Sequence, residues 1–359
     1  MKRLHPIFEN DFIKKLLRNK GAVIGLFIIV ITFIVSIICY FIANDASPNA
    51  NRIIVEIAGA KPGTSYRFLL VKKETPQAQN NIAKRLLIGQ NDLYNYIPIS
   101  SFTSKYDSID VQKIIGEGLT ETQSFSKTQL ASQPIVKKTF WLGTDSYGRD
   151  VMSRILIGSR VSLSVGFITV IISIIMGICL GALAGYFRGK VDAIIMWWIN
   201  IIWSIPTLLL VFAITLALGK GFWQIFIAIG LTMWVNVARL VRGQVMAVRE
   251  LNYIEAAKAL GYSHFRIIFK HILPNIWGPI IVIATANFAS AIIVEAGLSF
   301  LGIGVQPPQP SWGLMIKENY NFIITNNPIL AIAPGIAIML LVFAFNLLGN
   351  GLRDALDVK

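Results

Sequence analysis

Six stretches of the chain are apolar enough, and long enough, to cross a lipid bilayer as helices. A hydrocarbon core of about 30 Å takes roughly 20 helical residues, and each stretch approaches or exceeds that length. They cover residues 21–43, 161–187, 191–218, 222–240, 276–298 and 329–348. The pattern predicts an all-α integral membrane protein with six transmembrane helices.

A long polar segment, residues 44–160, separates the first two predicted spans. Within it, Ile53, Val55 and Ile57 occupy alternate positions, a turn signal follows at Pro62-Gly63, and another apolar run comes next. This order predicts a β-hairpin around the turn. The composition of the remainder, to about Gln133, is typical of short helices and loops.

Residues 6–20 predict an amphipathic helix ahead of the first span. Apolar side chains share one face and basic ones lie largely elsewhere, which suits a helix resting on the anionic cytoplasmic leaflet with membrane lipid as its partner. An ordinary basic flank of a span is the alternative. The apolar residues are Phe8, Phe12, Leu16 and Leu17, and the basic ones are Lys14, Lys15, Arg18 and Lys20. The run 21–43 is too long for the core of a secretory signal and no convincing cleavage site follows it, so we interpret it as a retained span.

The chain has a net charge of +14. The positions of its Lys and Arg residues agree with the expected membrane topology, so a nucleic-acid partner is not needed to explain this charge. A mean hydropathy of +0.61 places the chain with membrane proteins. With the N-terminus in the cytoplasm, six Lys and Arg precede Gly21, two follow the second span, six lie from Arg239 to Lys270, and two end the chain. The short outer loops carry only Lys220 and Lys317, and long loops cross largely regardless of charge. Both termini are therefore expected in the cytoplasm, and the long polar segment outside it.

The sequence predicts no catalytic residues, no metal site and no bound cofactor. Cys39 and Cys179 both lie in apolar runs, and the three histidines are well separated. Asp145 and Asp150 could suggest a catalytic pair, but no histidine or nucleophile accompanies them. Residues 188–191 lack the first glycine and the hydroxyl residue of a phosphate-binding loop.

A few residues within the predicted spans allow a structural or a functional interpretation. Gly177, Gly181 and Gly185 form a small-residue face that lets another helix approach closely. Pro206 predicts a kink in the third span, either beside a translocation path or for structure alone. Glu295, near the outer end of the fifth span, either bonds to neighbouring groups or lines the solute path.

A polar stretch between the fourth and fifth spans, residues 255–275 (EAAKALGYSHFRIIFKHILPN), predicts two short helices joined by a turn. Gly261 supplies a left-handed stop for the first helix, and Ser263 can cap the second, which runs into the fifth span. Ala256 and Ala257 are small enough to let a partner approach the backbone, and flanking tyrosines would anchor it. A hairpin that only covers the inner membrane surface is the alternative.

This stretch resembles the EAA loop of permeases from binding-protein-dependent ABC importers, in which EAA is followed by three residues, Gly, nine residues and I-x-L-P. The matching residues are Glu255, Ala256, Ala257, Gly261, Leu273 and Pro274. His271 departs from the general pattern but is similar to the H-x-L-P-N of the dipeptide, oligopeptide and nickel subfamily. Segments 142–166, 238–245, 295–313 and 346–357 further resemble the C-type membrane subunit of that subfamily.

The resemblance implies that residues 250–274 form a coupling loop that docks on a separate ATP-binding subunit. The implied contact residues are Tyr253, Glu255, Ala256, Ala257 and Gly261, with Arg266 and Lys270 as weaker candidates. It also implies a second homologous permease, two ATP-binding subunits and an extracytoplasmic solute-binding protein, around a multi-pass protein of the cell inner (plasma) membrane. ATP hydrolysis would belong to the separate subunits, so this chain would not be an enzyme.

The implied function is ATP-driven import of peptides or similar small polar solutes by alternating access. The resemblance leaves the solute open among dipeptides, oligopeptides, nickel chelates and glutathione-like molecules. Asn200, Pro206 and Glu295 are the candidate residues of the translocation path. The family usually has an Arg and an Asp in the third span, where this sequence has Trp197 and Asn200. Because this sequence lacks both the Arg and the Asp, neither charge is left buried without its partner.

The expected organisation is an N-terminal helix with the first span (1–43), an extracytoplasmic insertion (44–160) and a permease core (161–359). The insertion is either an extra docking surface for the binding protein or a passive addition. The alternative functions are an ion-coupled secondary transporter and a membrane scaffold or channel. An ion-coupled transporter needs acidic or histidine side chains, or unwound helices, near the midplane. The central parts of spans two, three, four and six contain no acidic residue.

Overall fold

The computed structural model of the chain describes residues 10–75, 78–116, 118–219, 221–324 and 327–356. The chain divides into two compact units, each built from separate stretches. The helical unit contains residues up to Thr32, Ser162–Gln306 and residues from Ile338 onward, and the sheet unit contains Phe33–Val161 and Pro307–Ala337. Residues 6–9 of the predicted amphipathic helix, Phe8 among them, lie outside the described residues.

Long helices make up most of the chain, because apolar runs can satisfy all their backbone hydrogen bonds within one helical segment. The helices are α1 (Asn10–Arg18), α2 (Lys20–Ile42), α3 (Ile82–Ile88), α4 (Val151–Phe187), α5 (Gly189–Ser204), α6 (Thr207–Leu218), α7 (Phe222–Arg249), α8 (Asn252–Ala259), α9 (His264–Ile267), α10 (Leu273–Phe300), α11 (Trp312–Asn319) and α12 (Ile329–Leu356).

Among the described residues, five helical stretches are long and apolar enough to cross a membrane. They are α2, α4, α7, the continuous stretch His264–Phe300 and α12, and the bent pair α5–α6 makes a sixth if it is one span. Most of these helices are longer than the apolar runs that predicted them. α4 begins at Val151 instead of 161, and α7 continues to Arg249. The added turns are polar, so a search for apolar windows does not detect them.

The third predicted span bends at Pro206, as expected, and the bend is large enough to break the helix. α5 and α6 are bent by 95° relative to each other. Proline has no backbone N–H and disfavours a helical conformation in the residue before it. Ile205 accordingly adopts an extended conformation, with φ −94° and ψ 130°. α6 then starts afresh, with the Leu210 N–H donating to the Pro206 carbonyl at 3.0 Å.

The sheet unit contains a five-stranded antiparallel sheet in the order β4-β3-β2-β1-β5. The strands are β1 (Thr64–Lys72), β2 (Tyr94–Ser104), β3 (Ser108–Gly116), β4 (Leu119–Ser126) and β5 (Leu130–Phe140). Phe68 in the central part of β1 lies opposite Pro98 of β2 and Val136 of β5. Phe68 and Leu69 are consecutive and both fully buried. Because successive side chains of a strand point to opposite faces, the sheet buries apolar residues on both sides.

This sheet contradicts the expectation of an all-α protein and corrects the predicted hairpin. Val55–Ile57 form a short 3-10 helix, and β1 pairs with β2 and β5. Ile54 and Ile57 are buried in one cluster with Phe68, whereas Ile53 and Val55 are exposed, so the alternating positions do not share one buried face. β2 contains Pro98, and β4 is exposed over nearly its whole length. Neither strand therefore shows the regular alternation of a half-buried strand.

The small-residue face predicted in the second span is a close helix contact, as expected. A Cβ atom at Gly181 would lie 2.5 Å from the Ala238 carbonyl oxygen of α7. One at Gly185 would lie 2.6 Å from the Arg242 carbonyl oxygen, and one at Gly177 would lie 2.4 Å from the Val237 Cβ of α7. α4 and α7 therefore touch backbone to backbone within the helical unit, which only glycine at these positions permits.

We expect Gly181→Ala to destabilise the helical unit by about 1–3 kcal/mol, because the added methyl group must displace α7. Gly243→Ala is the matched control, since it makes the same change in α7 where nothing lies within 4 Å of the new Cβ. Thermal unfolding of the purified protein in mild detergent measures both. Equal midpoints for the two variants would show that the glycine contact does not stabilise the fold.

Candidate functional site

The elbow, which we define as residues Leu251–Ile272, connects α7 to α10 within the helical unit. α7 ends in a turn closed by the Leu251 N–H, which donates to the Val248 carbonyl at 3.1 Å. The Ile254 N–H then donates to the Leu251 carbonyl at 2.8 Å and starts α8. Glu255 lies in the first turn of α8, where a carboxylate interacts favourably with the positive end of the helix dipole.

α8 ends in a Schellman motif at Gly261, which confirms the predicted left-handed stop. Gly261 has a φ of +75°, a conformation that other residues adopt only at a cost. Its N–H donates to the Lys258 carbonyl at 2.9 Å, and the Tyr262 N–H donates to the Ala257 carbonyl at 3.1 Å. Both bonds satisfy carbonyls that the helix end would otherwise leave free.

The second half of the elbow runs without interruption into α10. The Ser263 hydroxyl accepts a hydrogen bond from the Arg266 N–H at 3.4 Å, as predicted for a cap. α9 continues through a π-helical turn, Ile268–Ile272, to α10. The Asn275 side chain donates to the Tyr253 hydroxyl at 3.1 Å, and burial raises the pKa of Tyr253. α8 is thereby hydrogen-bonded to the first turn of α10.

The inner face of the elbow is part of the apolar core of the helical unit. Ile254 and Ala257 of α8 and Ile267 of α9 are all 5% exposed or less. They form one cluster with buried residues of three long helices. Those residues are Ala182 and Tyr186 of α4, Val237, Val241 and Val245 of α7, and Leu273, Ile276 and Ile280 of α10. Because close-packed interiors deform little, a displacement of the elbow must be transmitted to these helices.

The outer face of the elbow carries most of the residues predicted to contact a partner. The exposed ones are Tyr253, Glu255, Ala256, Gly261, Arg266 and Lys270. Ala257 differs from them, because it is 5% exposed and belongs to the inner face. Its small side chain lets α8 lie close to the core, so Ala257 helps to set the position of the helix.

The sequence analysis missed three large apolar side chains that are exposed on the elbow. Leu260, Phe265 and Phe269 are 73%, 70% and 50% exposed. The rings of Phe265 and Phe269 lie 4.3 Å apart between centroids. A group of exposed apolar side chains is typical of a surface that binds another protein. The only sequence signal was the i, i+4 spacing of the two phenylalanines, and the buried Ile267 and Ile268 between them obscure it.

Two polar contacts that the sequence did not predict join helices around the elbow. The Tyr186 hydroxyl at the end of α4 lies 2.9 Å from the His264 Nδ1 at the start of α9. Arg242 of α7 donates through Nε and Nη2 to both carboxylate oxygens of Asp192 in α5, at 2.5 and 2.6 Å. A bidentate pair of this kind fixes orientation as well as distance. α5, α7, α4 and the elbow are therefore held by directional bonds in addition to apolar packing.

The three residues predicted to line a translocation path do not converge on one place. Pro206 lies between Ile205 and Thr207, which line a cavity of about 200 Å³ at the α5–α6 break. Glu295 is not among the residues that line this cavity. It is 1% exposed and accepts a hydrogen bond from the Ser299 hydroxyl at 2.6 Å, which favours the structural interpretation of this carboxylate. Asn200 is not among the lining residues either, and its Oδ1 accepts a hydrogen bond from the Arg239 Nη2 of α7 at 2.7 Å.

Asp145 and Asp150, which we rejected as a catalytic pair, organise the turn before α4 in the sheet unit. Asp150 accepts hydrogen bonds from the Ser153 N–H at 3.0 Å and from the Ser153 hydroxyl, so it caps α4. Burial raises the pKa of Asp150. Asp145 accepts from the Arg149 Nε at 2.6 Å, and Arg149 also donates to Glu318 at 2.7 Å. These carboxylates have structural partners.

Several helices long enough to span a membrane, with a short surface loop packed into their core, define a polytopic membrane protein. The chain belongs to the family of binding-protein-dependent transport system inner membrane components, whose profile matches residues 177–359. A second profile, the N-terminal TM domain of oligopeptide transport permease C, matches residues 10–54. The resemblance carried by the EAA loop is thereby confirmed.

Relatives with assigned roles match about three fifths of the chain. The glutathione transport system permease protein GsiD of Pectobacterium atrosepticum is 44% identical over 219 residues, which are 61% of this chain and 72% of the relative. The oligopeptide transport system permease protein OppC of Bacillus subtilis is 40% identical over 222 residues, 62% of this chain and 72% of the relative. A chain of the inward-facing MetNI methionine ABC transporter aligns with a TM-score of 0.47 and 20% identity, over 57% of this chain and 96% of that one.

Membership of the family establishes what kind of component this chain is. It is a multi-pass transport subunit of the inner membrane and not an enzyme, because ATP hydrolysis in these systems takes place in separate subunits. The family also implies association with ATP-binding subunits and a partner permease.

We expect Gly261→Ala to loosen the elbow by about 1–2 kcal/mol, the cost of a left-handed conformation for a residue with a Cβ. Nothing lies within 4 Å of the added atom, so the whole effect comes from the backbone. Hydrogen exchange of residues 252–262, followed by mass spectrometry, should become faster. Gly261→Asn is the control and should exchange more like the wild type, since Asn tolerates this conformation better. Unchanged exchange in Gly261→Ala would contradict the Schellman motif.

Proposed function

We propose that the chain is one of two homologous permease subunits of an ATP-driven importer for peptides or similar small polar solutes. Two ATP-binding subunits on the cytoplasmic side and an extracytoplasmic solute-binding protein complete the assembly. The relatives named for glutathione and oligopeptide transport support this solute class. Both termini lie in the cytoplasm and residues 44–160 lie outside, in agreement with the distribution of Lys and Arg.

The observation that carries the proposal is that one face of the elbow is buried in the core and the other face is exposed. Its inner face belongs to the same apolar cluster as α4, α7 and α10, and its outer face is exposed and carries Leu260, Phe265 and Phe269. This arrangement suits a loop that receives a push from another protein and passes it to the membrane helices.

In the proposed mechanism, closure of the two ATP-binding subunits moves the elbow. The continuous stretch from α9 to α10 and the packing of α8 on α7 transfer this movement to the core helices, since packed helices shift as rigid bodies. The path between the two permeases then opens toward the binding protein, and hydrolysis of ATP restores the first state. Glu255 and Ala256 contact the ATP-binding subunit, while Ala257 and Gly261 set the position and shape of α8.

The expected organisation of the chain follows from this topology. Residues 1–43 anchor the subunit and contact membrane lipid, 44–160 form the extracytoplasmic insertion, and 161–359 form the permease core with its coupling loop 250–274. The insertion contains the five-stranded sheet, which buries its own apolar residues. This self-contained packing is compatible with a passive addition as well as with a docking surface for the binding protein. Deletion of 60–130 that leaves transport unchanged would exclude the docking role.

We expect the adjacent residues Ala256 and Ala257 to respond differently to labelling. Cysteine at Ala256, in a variant with Cys39 and Cys179 replaced by Ala, should react with a bulky maleimide in the isolated permease and become protected when the ATP-binding subunits are bound. Cysteine at Ala257 is the matched control and should stay unlabelled in both states, because that position is 5% exposed. Equal reactivity of Ala256→Cys with and without the ATP-binding subunits would place the contact elsewhere.

We expect the sheet and the elbow to lie on opposite sides of the membrane. Tyr106, in the turn between β2 and β3, is 93% exposed, and Phe265 of the elbow is 70% exposed. In intact cells, a membrane-impermeant maleimide should label Tyr106→Cys at once and label Phe265→Cys only after the membrane is opened. Labelling of both residues from outside would refute the proposed topology.

A further inference from the structure

The short helix α3, in the sheet unit, exposes most of its apolar side chains. It has seven residues, and each of them is at least partly exposed in the described structure. Ile82, Leu87 and Ile88 are 73%, 67% and 48% exposed. A helix of this length is marginal in water without tertiary packing, and a group of exposed apolar side chains is typical of a surface that contacts another molecule or a membrane.

The C-terminal end of α3 is bonded to the place where the apolar part of α4 begins. Arg160 of α4 donates from Nη1 to the Leu87 carbonyl at 2.9 Å and from Nη2 to the Leu86 carbonyl at 2.7 Å. These carbonyls belong to the last turn of α3, where the helix itself provides no donor. Arg160 directly precedes the apolar run 161–187. α3 therefore ends at the level where this apolar run starts.

The same end of α3 packs against the last turn of α2. The Arg85 guanidinium lies 4.7 Å from the centre of the Phe41 ring. Gly89, directly after α3, has a φ of +82°, and a Cβ there would lie 2.6 Å from the Ala46 carbonyl oxygen and 2.7 Å from the Tyr40 ring. Only glycine permits this conformation and this approach without strain. α3 is thus fixed beside the ends of two apolar runs, at the boundary between their lipid-facing and polar parts.

This position favours lipid as the partner of the exposed side chains. Phe41 and Ile42 at the end of α2 are 42% and 50% exposed, so the apolar surface of α3 lies next to that of a membrane-spanning helix. Lys84 is exposed on α3, and a lysine stem can lie along apolar surface while its ammonium group reaches lipid phosphates. Exposed apolar side chains with basic ones, at the level of the headgroups, are typical of an interfacial helix.

We propose that α3 binds the lipid bilayer at the surface where α2 ends. Ile82, Leu87 and Ile88 enter the boundary between headgroups and acyl chains, and Lys84 contacts the phosphates. Because α3 connects β1 to β2, this contact ties the sheet to the membrane surface through its central strands. The inference goes beyond the proposed function, since it depends neither on the solute nor on the ATP-binding subunits.

The test uses the full-length chain in nanodiscs of phosphatidylcholine and phosphatidylglycerol, with Cys39 and Cys179 replaced by Ala and a nitroxide label on one introduced cysteine. Power-saturation electron paramagnetic resonance compares collisions of the label with oxygen, which is enriched in the bilayer, and with a nickel chelate, which stays in water. We expect the oxygen-to-nickel ratio to be severalfold higher for Leu87→Cys than for Leu119→Cys. Leu119 is the matched control, because it is a leucine of the polar edge strand β4 with almost the same exposure, 66%. Ile34→Cys, at a position 50% exposed within α2, supplies the value for a lipid-facing residue.

The other results would overturn the proposal. Equal ratios for Leu87→Cys and Leu119→Cys would mean that α3 has no membrane contact of its own. Few collisions of the Leu87→Cys label with either reagent would mean that protein covers the helix. A label at this position that meets nickel in the isolated chain, and loses it only when the partner permease or the solute-binding protein is added, would assign the surface to a protein interface. Peptide uptake by the complete transporter is measured separately, and its absence together with a high ratio at Leu87→Cys would refute the proposed function and support this inference.

Discussion

The packing of a short polar loop into the core of the membrane helices is the interaction on which the other features depend. The inner face of the elbow contributes Ile254, Ala257 and Ile267 to the cluster that also contains residues of α4, α7 and α10. An apolar interior at crystalline density transmits displacement because it has little free volume to absorb it. The Schellman motif at Gly261 and the hydrogen bond between Asn275 and Tyr253 give the loop a defined shape, so that a push at its surface moves helices and does not simply bend the loop.

The helices around this cluster approach closely because their side chains allow it. The glycines of α4 bring its backbone against α7, and the bidentate pair of Arg242 with Asp192 joins α7 to α5. Residues on both sides of the break at Pro206, Ile205 and Thr207, line a cavity of about 200 Å³. The helical unit therefore combines tight packing beside the elbow with an opening at the break.

The sheet unit is held together by different contacts. Its strands bury Phe68 and Leu69 on opposite faces. In the turn before α4, Arg149 donates hydrogen bonds to both Asp145 and Glu318. These charged contacts are buried, where removal of a single partner is costly because the other charge remains desolvated. The turn leading into α4 is therefore structurally constrained, although it resembles an acidic catalytic motif when read as sequence.

The amino-acid sequence by itself determined the features that depend on neighbouring residues: the apolar spans, the glycine stop at Gly261, the Ser263 cap and the small-residue face of α4. It also identified the family, because the EAA loop is a contiguous motif. Tertiary structure decided the features that depend on distant residues. Ala256 and Ala257 are adjacent and of the same amino-acid type, and only the packing of α8 buries Ala257 and leaves Ala256 exposed. β1 pairs with β5, whose partner residues lie 59 (Val71 with Leu130) to 76 (Thr64 with Phe140) positions further along the chain, and no local periodicity reports such a partner. Arg239 and Asn200 likewise meet only because α5 folds back on α7, since the partner of a charge is set by the packing of whole helices and not by the residues beside it.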